Sequence, residues 1–264
     1  MIFSFFKKRP KKVGLVLSGG AARGIAHLGV LKGFEEYGFE ISHIFGSSVG
    51  AIIGGLYCSG ISVDSLSKHL KDVSITDFIK FKLSRQGMFS SEAIETYIKK
   101  IIGKKTLNDC EIPLTIISTN ILTGKGEYFQ NSDVSIALAA RASASIPGIF
   151  SPTCIKNKYY VDGAVSAHMP VPRNHHCSVL IGCNAIPETE LDQLPRSAYA
   201  IIDRSIDCAL RVNSELATKE LDFVLNPLHE YFGSVDLKSR DKLVECGYNC
   251  VKENRRKLER LIND

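Results

Sequence analysis

The feature that most constrains the fold is a unit that occurs twice in the first sixty residues: a short apolar run, a glycine turn and a helix. Residues 13–20 read VGLVLSGG, and residues 41–50 read ISHIFGSSVG. Apolar residues at helical spacing follow each turn and predict helices over residues 25–37 and 51–57. Because buried strands that alternate with helices build a parallel sheet, this unit predicts an α/β fold.

The rest of the chain continues this alternation. Glycine and asparagine turns near residues 124–126 and 157–158 predict two hairpins. At 264 residues the chain is of a length that commonly forms one α/β domain, which we place over residues 13–264 after a basic tail over residues 1–12. We expect three α/β/α layers around a mostly parallel sheet, with ligand sites beyond the carboxyl ends of the strands. Further strands are predicted at residues 114–120, 179–185 and 221–225, and further helices at residues 62–70, 90–102, 133–141, 198–216 and 239–262.

Composition is that of a folded globular protein, with 44% hydrophobic and 23% charged residues. The net charge is +5, and five cations lie in residues 1–12 beside three phenylalanines. This tail predicts peripheral contact with an anionic lipid surface, with a solvated tail as the alternative. No run of about 18 apolar residues predicts a membrane span, and the apolar start precedes its cations, the reverse of a secretory signal. We expect a cytoplasmic protein, which binds peripherally to the inner membrane face if the tail contacts lipid and not if the tail is solvated.

The cysteine content also agrees with a cytoplasmic location. Eight cysteines occur without a CxxC pair, which favours free thiols in a reducing compartment. No cysteine and histidine cluster has the spacing of a structural metal site, so we expect no metal.

Ser48 is the first residue that predicts chemistry. Gly46-x-Ser48-x-Gly50 lies where a predicted strand becomes a helix, which is the setting of a nucleophile elbow. The sharp turn requires small neighbours, and the helix N-terminus favours developing negative charge. Ser47 occupies the variable position of this pattern and should point away.

The first glycine turn is the second chemical feature. Gly19, Gly20 and Ala21 offer backbone N–H groups at another strand-to-helix junction, and Arg23 adds positive charge beside them. Such a turn can form an oxyanion hole. A nucleotide site is the alternative, but the GK[ST] of a P-loop is missing and the glycines do not fit GxGxxG. We expect no nucleic acid partner.

Asp162 is the candidate base for the serine. It stands in Val-Asp-Gly-Ala after an aromatic strand. On spacing alone this Asp-Gly pair is more typical of a plain hairpin end than of a catalytic base. None of the seven histidines occurs in a recognisable Ser-His-Asp arrangement.

Taken together, these motifs resemble the patatin-like phospholipases, and among them the short bacterial, NTE-like members. The resemblance covers roughly residues 13–250, with order and spacing retained. The sequence departs from plant members at Ala21, where they carry a third glycine, and has Ala164 where a second glycine is common. The matching segments are Gly19-Gly20-x-x-Arg23-Gly24, Gly46-x-Ser48-x-Gly50, ASASIPGIFSP at residues 142–152, Asp162-Gly163-Ala164 and Met169-Pro170-Val171.

The resemblance implies a serine lipid acyl hydrolase with a Ser48–Asp162 dyad, a lipid or acyl ester substrate and no cofactor. The oxyanion would form against the N–H groups of Gly19, Gly20 and Ala21. Two alternatives remain open: a regulatory or adaptor protein on the same fold, and an acyltransferase. The first would keep its partner response after Ser48→Ala, and the second would need an alcohol acceptor. Residues 71–89 mix phenylalanines with lysines and predict either a mobile lid or a packed connection.

Overall fold

The structure, a computed structural model, describes residues 11–71, 73, 80–84 and 87–263, with the backbone alone at residues 80–84, 87, 88 and 199. The strands are β1 (Val13–Leu17), β2 (Ile41–Gly46), β3 (Lys80–Ser84), β4 (Gly87–Ser90), β5 (Leu114–Asn120), β6 (Lys125–Phe129), β7 (Thr153–Ile155), β8 (Lys158–Val161), β9 (Val179–Cys183) and β10 (Phe223–Leu225). The α-helices are α1 (Ala26–Tyr37), α2 (Val49–Cys58), α3 (Val63–Lys71), α4 (Glu92–Ile102), α5 (Ile136–Ser143), α6 (Ala198–Thr218) and α7 (Arg240–Asn263).

Eight strands form one mixed sheet in the order β10-β9-β1-β2-β5-β8-β7, with β6 also paired to β5. The strands β10, β9, β1, β2 and β5 are parallel to their neighbours in this order. The strands β6, β7 and β8 join by antiparallel pairing and close one side of the sheet. The mostly parallel sheet predicted from the sequence is therefore confirmed, and its carboxyl edge is where both glycine turns lie.

Each face of the sheet is covered by its own apolar layer. On one face Leu28, Ile53, Leu66, Ile98 and Val251 bring helices α1, α2, α3, α4 and α7 into one core. The opposite face carries a smaller cluster of Val16, Phe45, Met169 and Leu180, and the end of α6 packs against it. Helices thus lie on both faces, which confirms the three-layer α/β/α architecture.

The helix and strand predictions hold with shifts of one to three residues, except in residues 71–89. Most of this lid candidate lies outside the described residues or is described by its backbone alone. The hairpin of β3 and β4 was not predicted, although KFKLS at residues 80–84 alternates polar and apolar residues as a strand does. Phe89 N–H donates to Ile149 O over 2.9 Å, which ties β4 to the loop after α5.

The predicted tail is described only at Lys11 and Lys12. Lys11 Nζ donates to the carbonyl of Leu261, and the carbonyl of Lys12 accepts from Ser178 N–H. Within the described parts of the chain, no helix combines the length and apolar character that crossing a membrane requires.

Candidate active site

Ser48 sits at the junction of β2 and α2 in a strained conformation. Its φ is 53° and its ψ is −122°. Residues other than glycine rarely adopt this backbone conformation, which costs about 1–3 kcal/mol. Ser48 is the N-cap residue of α2, yet its hydroxyl makes no capping bond. A serine here would ordinarily bond a backbone N–H of the first turn. The hydroxyl is directed elsewhere, as a nucleophile elbow requires.

The elbow has no room for side chains on either side of the serine. A Cβ added to Gly46 would lie 2.7 Å from the Cα of Ala51, and one added to Gly50 would lie 2.3 Å from the carbonyl oxygen of Leu17. Both contacts involve backbone atoms that cannot rotate away. Ser47 is buried with its hydroxyl unpartnered among the described residues.

Gly50→Ala is therefore expected to lower the free energy of unfolding by roughly 1–3 kcal/mol, the usual cost of overpacking. Urea unfolding of the variant measures this loss. Gly233→Ala is the matched control, because its added Cβ would meet nothing closer than 3.8 Å. Equal unfolding midpoints for Gly50→Ala and the unaltered chain would contradict the close approach of α2 to β1.

Asp162 directly follows β8 and lies in contact with Ser48. Ser48 Oγ donates to Asp162 Oδ2 over 2.6 Å, although 114 residues separate them. The other carboxylate oxygen, Oδ1, accepts from Ala164 N–H at 2.8 Å, and this bond holds the carboxylate plane. The backbone of Asp162 is held as well, because its carbonyl accepts from Thr119 Oγ1 at 2.8 Å.

Burial governs the charge of Asp162. The side chain is almost entirely removed from water, and this burial raises its pKa from 3.8 to about 6, against the opposing hydrogen bonds from Ser48 and Ala164. A carboxylate with this pKa is ionised at neutral pH yet accepts a proton readily. General bases work best when their pKa lies near the operating pH.

Two further serines hold the contact in place. Ser48 N–H donates to Ser143 Oγ over 2.8 Å, so the backbone of Ser48 is anchored to the end of α5. The carbonyl of Ser145 accepts from Asp162 N–H over 2.9 Å. Ser143 and Ser145 belong to one short segment, which therefore positions the backbones of both Ser48 and Asp162.

The first glycine turn lies directly beside Ser48. A Cβ added to Gly19 would be 3.4 Å from Ser48 Cβ. Gly19 N–H donates to the carbonyl of His168 over 3.2 Å, whereas the N–H groups of Gly20 and Ala21 have no partner among the described residues. Of the three predicted oxyanion donors, these two are available. Ala21 has a φ of 51°, which explains why glycine suits this position in other members of the resembled family.

Hydrogen bonds to the carbonyls aim these two N–H groups. Ser18 Oγ donates to the carbonyl of Gly19 at 2.7 Å, and both Arg23 N–H and Arg23 Nε donate to the carbonyl of Gly20, at 3.1 and 3.2 Å. In a trans peptide the N–H points opposite to the carbonyl. The carbonyls are thus turned toward their donors, and the N–H groups of Gly20 and Ala21 are turned away from them.

Arg23 carries its charge into a buried ion pair. Its Nη1 and Nη2 each lie 2.7 Å from an oxygen of Asp207 on α6, and both side chains are at most 3% exposed. The positive charge that the sequence suggested for the oxyanion is therefore balanced by Asp207. The direct contact of Arg23 with the turn is its bond to Gly20.

Two histidines lie behind the turn, and the hydrogen bonds described for them go to groups other than Ser48. His27 Nε2 donates to the carbonyl of Ser18 at 2.9 Å, and its Nδ1 lies 3.1 Å from Cys183 Sγ. His168 Nε2 faces Asn184 Oδ1 at 3.3 Å. Burial lowers the pKa of His27 to about 4 and that of His168 to about 3. Both rings are neutral at pH 7 and support the turn.

An apolar cavity of about 230 Å³ opens beside Ser48. Ala21 and Ser48 form part of its wall, and helices α1, α2, α3 and α4 supply half of the rest. Among the described residues of the wall, those with a polar side chain are Ser48, His69, Tyr97 and Ser234. A hydroxyl in contact with a buried carboxylate thus meets a space suited to a hydrocarbon chain. Apolar wall residues include Leu28, Ile53, Leu56, Leu66, Ile146 and Phe150.

The family model described as patatin-like phospholipase matches residues 15–173, which is more than half of the chain and includes Ser48 and Asp162. The chain belongs to the patatin-like phospholipase family.

Curated relatives of this patatin-like protein are longer than it is. An NTE family protein of Mycobacterium bovis is 32% identical over 163 residues, which cover 61% of this chain and 44% of the relative. The protein named lysophospholipase nte1 of Emericella nidulans is 32% identical over 170 residues, which cover 60% of this chain and 11% of that protein. The chain therefore spans less than half the length of these relatives.

A solved structure shows the same fold. VipD from Legionella pneumophila superposes with a TM-score of 0.52 over 94% of this chain and 67% of its own, at 14% sequence identity. At this identity the likeness concerns the patatin-like fold alone.

Sequence reasoning missed several residues that support this patatin-like site. Ser143 and Ser145 lie in the ASASIPG segment that carried the resemblance, so their position was visible but their contacts were not. Asp207 gave no signal, because it stands on a helix 184 residues from Arg23.

Proposed function

We propose that the protein is a serine hydrolase that cleaves acyl esters of lipids, with Ser48 as nucleophile and Asp162 as base. The observation that carries this proposal is the 2.6 Å bond from Ser48 Oγ to buried Asp162 Oδ2 at the wall of an apolar cavity. Family membership and the name of the fungal relative, a lysophospholipase, support the same activity.

In the proposed reaction Ser48 Oγ attacks the acyl carbonyl carbon while its proton passes to Asp162 Oδ2. The tetrahedral oxyanion forms against the N–H groups of Gly20 and Ala21, which have no other acceptor among the described residues. Asp162 then returns the proton to the leaving alcohol, and the acyl group remains on Ser48. A water molecule then gives a proton to Asp162 while its oxygen attacks the acyl carbon. The bond from this carbon to Ser48 Oγ breaks, Asp162 returns the proton to Ser48 Oγ, and the fatty acid is released.

The size of the cavity favours one acyl chain. Sites that enclose drug-sized ligands usually measure about 300–1,000 Å³, and the cavity of about 230 Å³ lies below this range. A single hydrocarbon chain fits such a space better than two. We propose monoacyl lipids, such as lysophospholipids, as the substrate class.

The pKa of Asp162 predicts the pH profile. Only the ionised carboxylate can accept the Ser48 proton, and its pKa in the free protein is about 6. We expect kcat/KM to be constant above pH 7 and to fall about tenfold for each pH unit below 6, because kcat/KM reports the free enzyme. A profile that stays flat from pH 4.5 to 8 would contradict the role of Asp162 as base.

The proposed activity is tested with a fluorophosphonate probe and a lysophospholipid. We expect covalent labelling of the folded protein, mapped by mass spectrometry to Ser48 and not to the adjacent Ser47, together with release of fatty acid. A folded protein that is neither labelled nor active would overturn the proposal and favour an adaptor role. Faster acyl transfer than hydrolysis, when glycerol is supplied, would identify an acyltransferase.

A further inference from the structure

The apolar cavity beside Ser48 follows one face of α2. This helix begins directly after Ser48. Because residues three and four apart share one side of a helix, the cavity leads away from Ser48 along the helix axis. The wall residues that α2 supplies are Val49, Ile52, Ile53 and Leu56.

A second line of wall residues starts at the glycine turn. Ala21, whose N–H is a proposed oxyanion donor, is the first of them, and Leu28 on α1 is the last. Helix α1 leads from the end of β1 to the start of β2, which is parallel to it. Helix α2 takes the same direction, because the carbonyl of Cys58 at its end accepts from Glu111 N–H, just before the start of β5. Both lines therefore run from the groups that would hold an acyl carbonyl toward the opposite edge of the sheet.

The cavity opens at the end where Ser48 lies. Val235 in its wall is 49% exposed, and the carbonyl of the residue before it accepts from Ala22 N–H in the glycine turn. His69 is a second exposed wall residue, and its neighbour Leu70 packs at the start of α1. A substrate can therefore enter beside the reacting groups.

Three leucines from three helices form the far end of the cavity. Leu28, Leu56 and Leu66 line it and are only 1%, 5% and 2% exposed. Leu66 lies on α3, one turn before Leu70, so α3 runs from this end back toward the opening. The part of the wall that the structure describes is thus open beside Ser48 and closed at the leucines.

The depth of this closed cavity corresponds to a limited number of carbon atoms. From Ser48 to Leu56 the axis of α2 advances about 12 Å at 1.5 Å per residue. An extended chain of single bonds advances roughly 1.2 Å per bond, because the three backbone bonds of a peptide residue span about 3.3–3.6 Å. The cavity therefore holds an acyl chain of about ten carbons.

The far half of the cavity accepts hydrocarbon alone. Leu28, Ile53, Leu56 and Leu66 have no polar side-chain atom. A polar group at the end of the chain would lose its hydrogen bonds to water there without replacement. The ligand that fits is an unbranched acyl chain that is apolar to its last carbon.

We propose that Leu28, Leu56 and Leu66 set the length of the acyl chain, and that the protein prefers esters of chains of about eight to ten carbons. This rests on the proposed hydrolase, since it takes Ser48 as the point where the acyl group is attached. Each methylene that enters the cavity leaves water, and kcat/KM should rise about fourfold with each one. Once the chain end meets the leucines, further methylenes stay outside and the rise stops.

Hydrolysis of p-nitrophenyl esters with chains of four to sixteen carbons tests the proposal. For the unaltered chain kcat/KM should climb to about ten carbons and then level off or fall. Leu56→Ala removes three carbons from the closed end, and the break should move about two to four carbons longer. Leu56→Phe extends into the empty cavity, and the break should move about two carbons shorter. Because this larger side chain fills open space, Leu56→Phe decides the matter if Leu56→Ala does not fold.

Leu31→Ala is the matched control. Leu31 is fully buried on α1 and is not among the described wall residues. Its truncation loosens the same core as Leu56→Ala does, yet it should leave the break at the chain length of the parent. An equal shift in Leu31→Ala would show that general loosening, and not the closed end, sets the preference, and it would overturn the proposal.

Binding to Ser48→Ala separates this proposal from the hydrolase itself. Calorimetric titration uses primary alcohols of six to twelve carbons, because the ionised Asp162 would repel a fatty acid carboxylate. Affinity should rise about fourfold per methylene and stop rising at about ten carbons. If the unaltered chain cleaves no ester but Ser48→Ala shows this break, the hydrolase is wrong and the length limit stands. An active protein whose preference climbs steadily to sixteen carbons, or does not move in either Leu56 variant, would overturn the length limit alone.

Discussion

Asp162→Asn is expected to lower kcat for ester hydrolysis by about 10³- to 10⁴-fold, at the upper end of the loss that follows removal of a general base. Asparagine keeps the shape of the side chain and can still accept from Ala164 N–H. It cannot take the Ser48 proton. Steady-state hydrolysis of a p-nitrophenyl ester measures the loss, and circular dichroism confirms that the variant is folded.

The same substitution should make the protein more stable at pH 8. The folded pKa of Asp162, about 6, exceeds its ordinary value of 3.8, so the native state binds this proton more tightly than the unfolded chain. This contribution to stability is complete below pH 3.8 and is lost as the pH rises through 6. Asparagine avoids the buried charge, and we expect a gain on the order of 1–3 kcal/mol at pH 8.

Urea unfolding at pH 8 and pH 4 separates this effect from others, since the gain should nearly vanish at the lower pH. A variant that is less stable than the parent at pH 8 would show that the ionised carboxylate stabilises the fold. Ser48→Ala is the companion variant for activity. Because the two groups act as a unit, the double variant should be no slower than Ser48→Ala alone.

The sequence predicted the parts of this site that depend on local backbone geometry. A strand followed by Gly46-x-Ser48-x-Gly50 has few conformations open to it, and the structure places Ser48 at a φ of 53°. The parallel sheet followed from apolar runs that alternate with helices. Each of these patterns involves residues that are close along the chain, so each can be recognised in a single sequence.

Short sequence patterns did not predict the contacts between segments that lie far apart along the chain. Asp162-Gly163 is more typical of a hairpin end than of an active site, and only the resemblance to a family favoured the active-site interpretation. Nothing local indicates that Asp207, on the outer helix α6, enters the interior to meet Arg23. The inward polar side of α6 was equally hidden, because a 3.6-residue period shows that a helix is amphipathic without showing which side is buried.

The ion pair between Arg23 and Asp207 supports the glycine turn, and Asp207→Ala should therefore cost both stability and activity. Removing one partner of a buried pair leaves an uncompensated charge and typically lowers stability by about 3–5 kcal/mol. Freed from Asp207, the guanidinium also loses the geometry with which Arg23 Nε holds the carbonyl of Gly20. We expect an unfolding midpoint well below that of the parent and a reduced kcat in the folded fraction.

Asp203→Ala is the matched control, because it removes an acidic residue from the same helix without touching Arg23. Arg23→Met combined with Asp207→Leu then separates charge from positioning. Replacing both partners by apolar residues of similar volume should recover most of the lost stability, yet kcat should stay low because the carbonyl of Gly20 has lost its side-chain donor, Arg23 Nε, and keeps only the backbone N–H of residue 23. If kcat recovers with stability, the glycine turn holds its shape unaided, and the role of Arg23 is confined to folding.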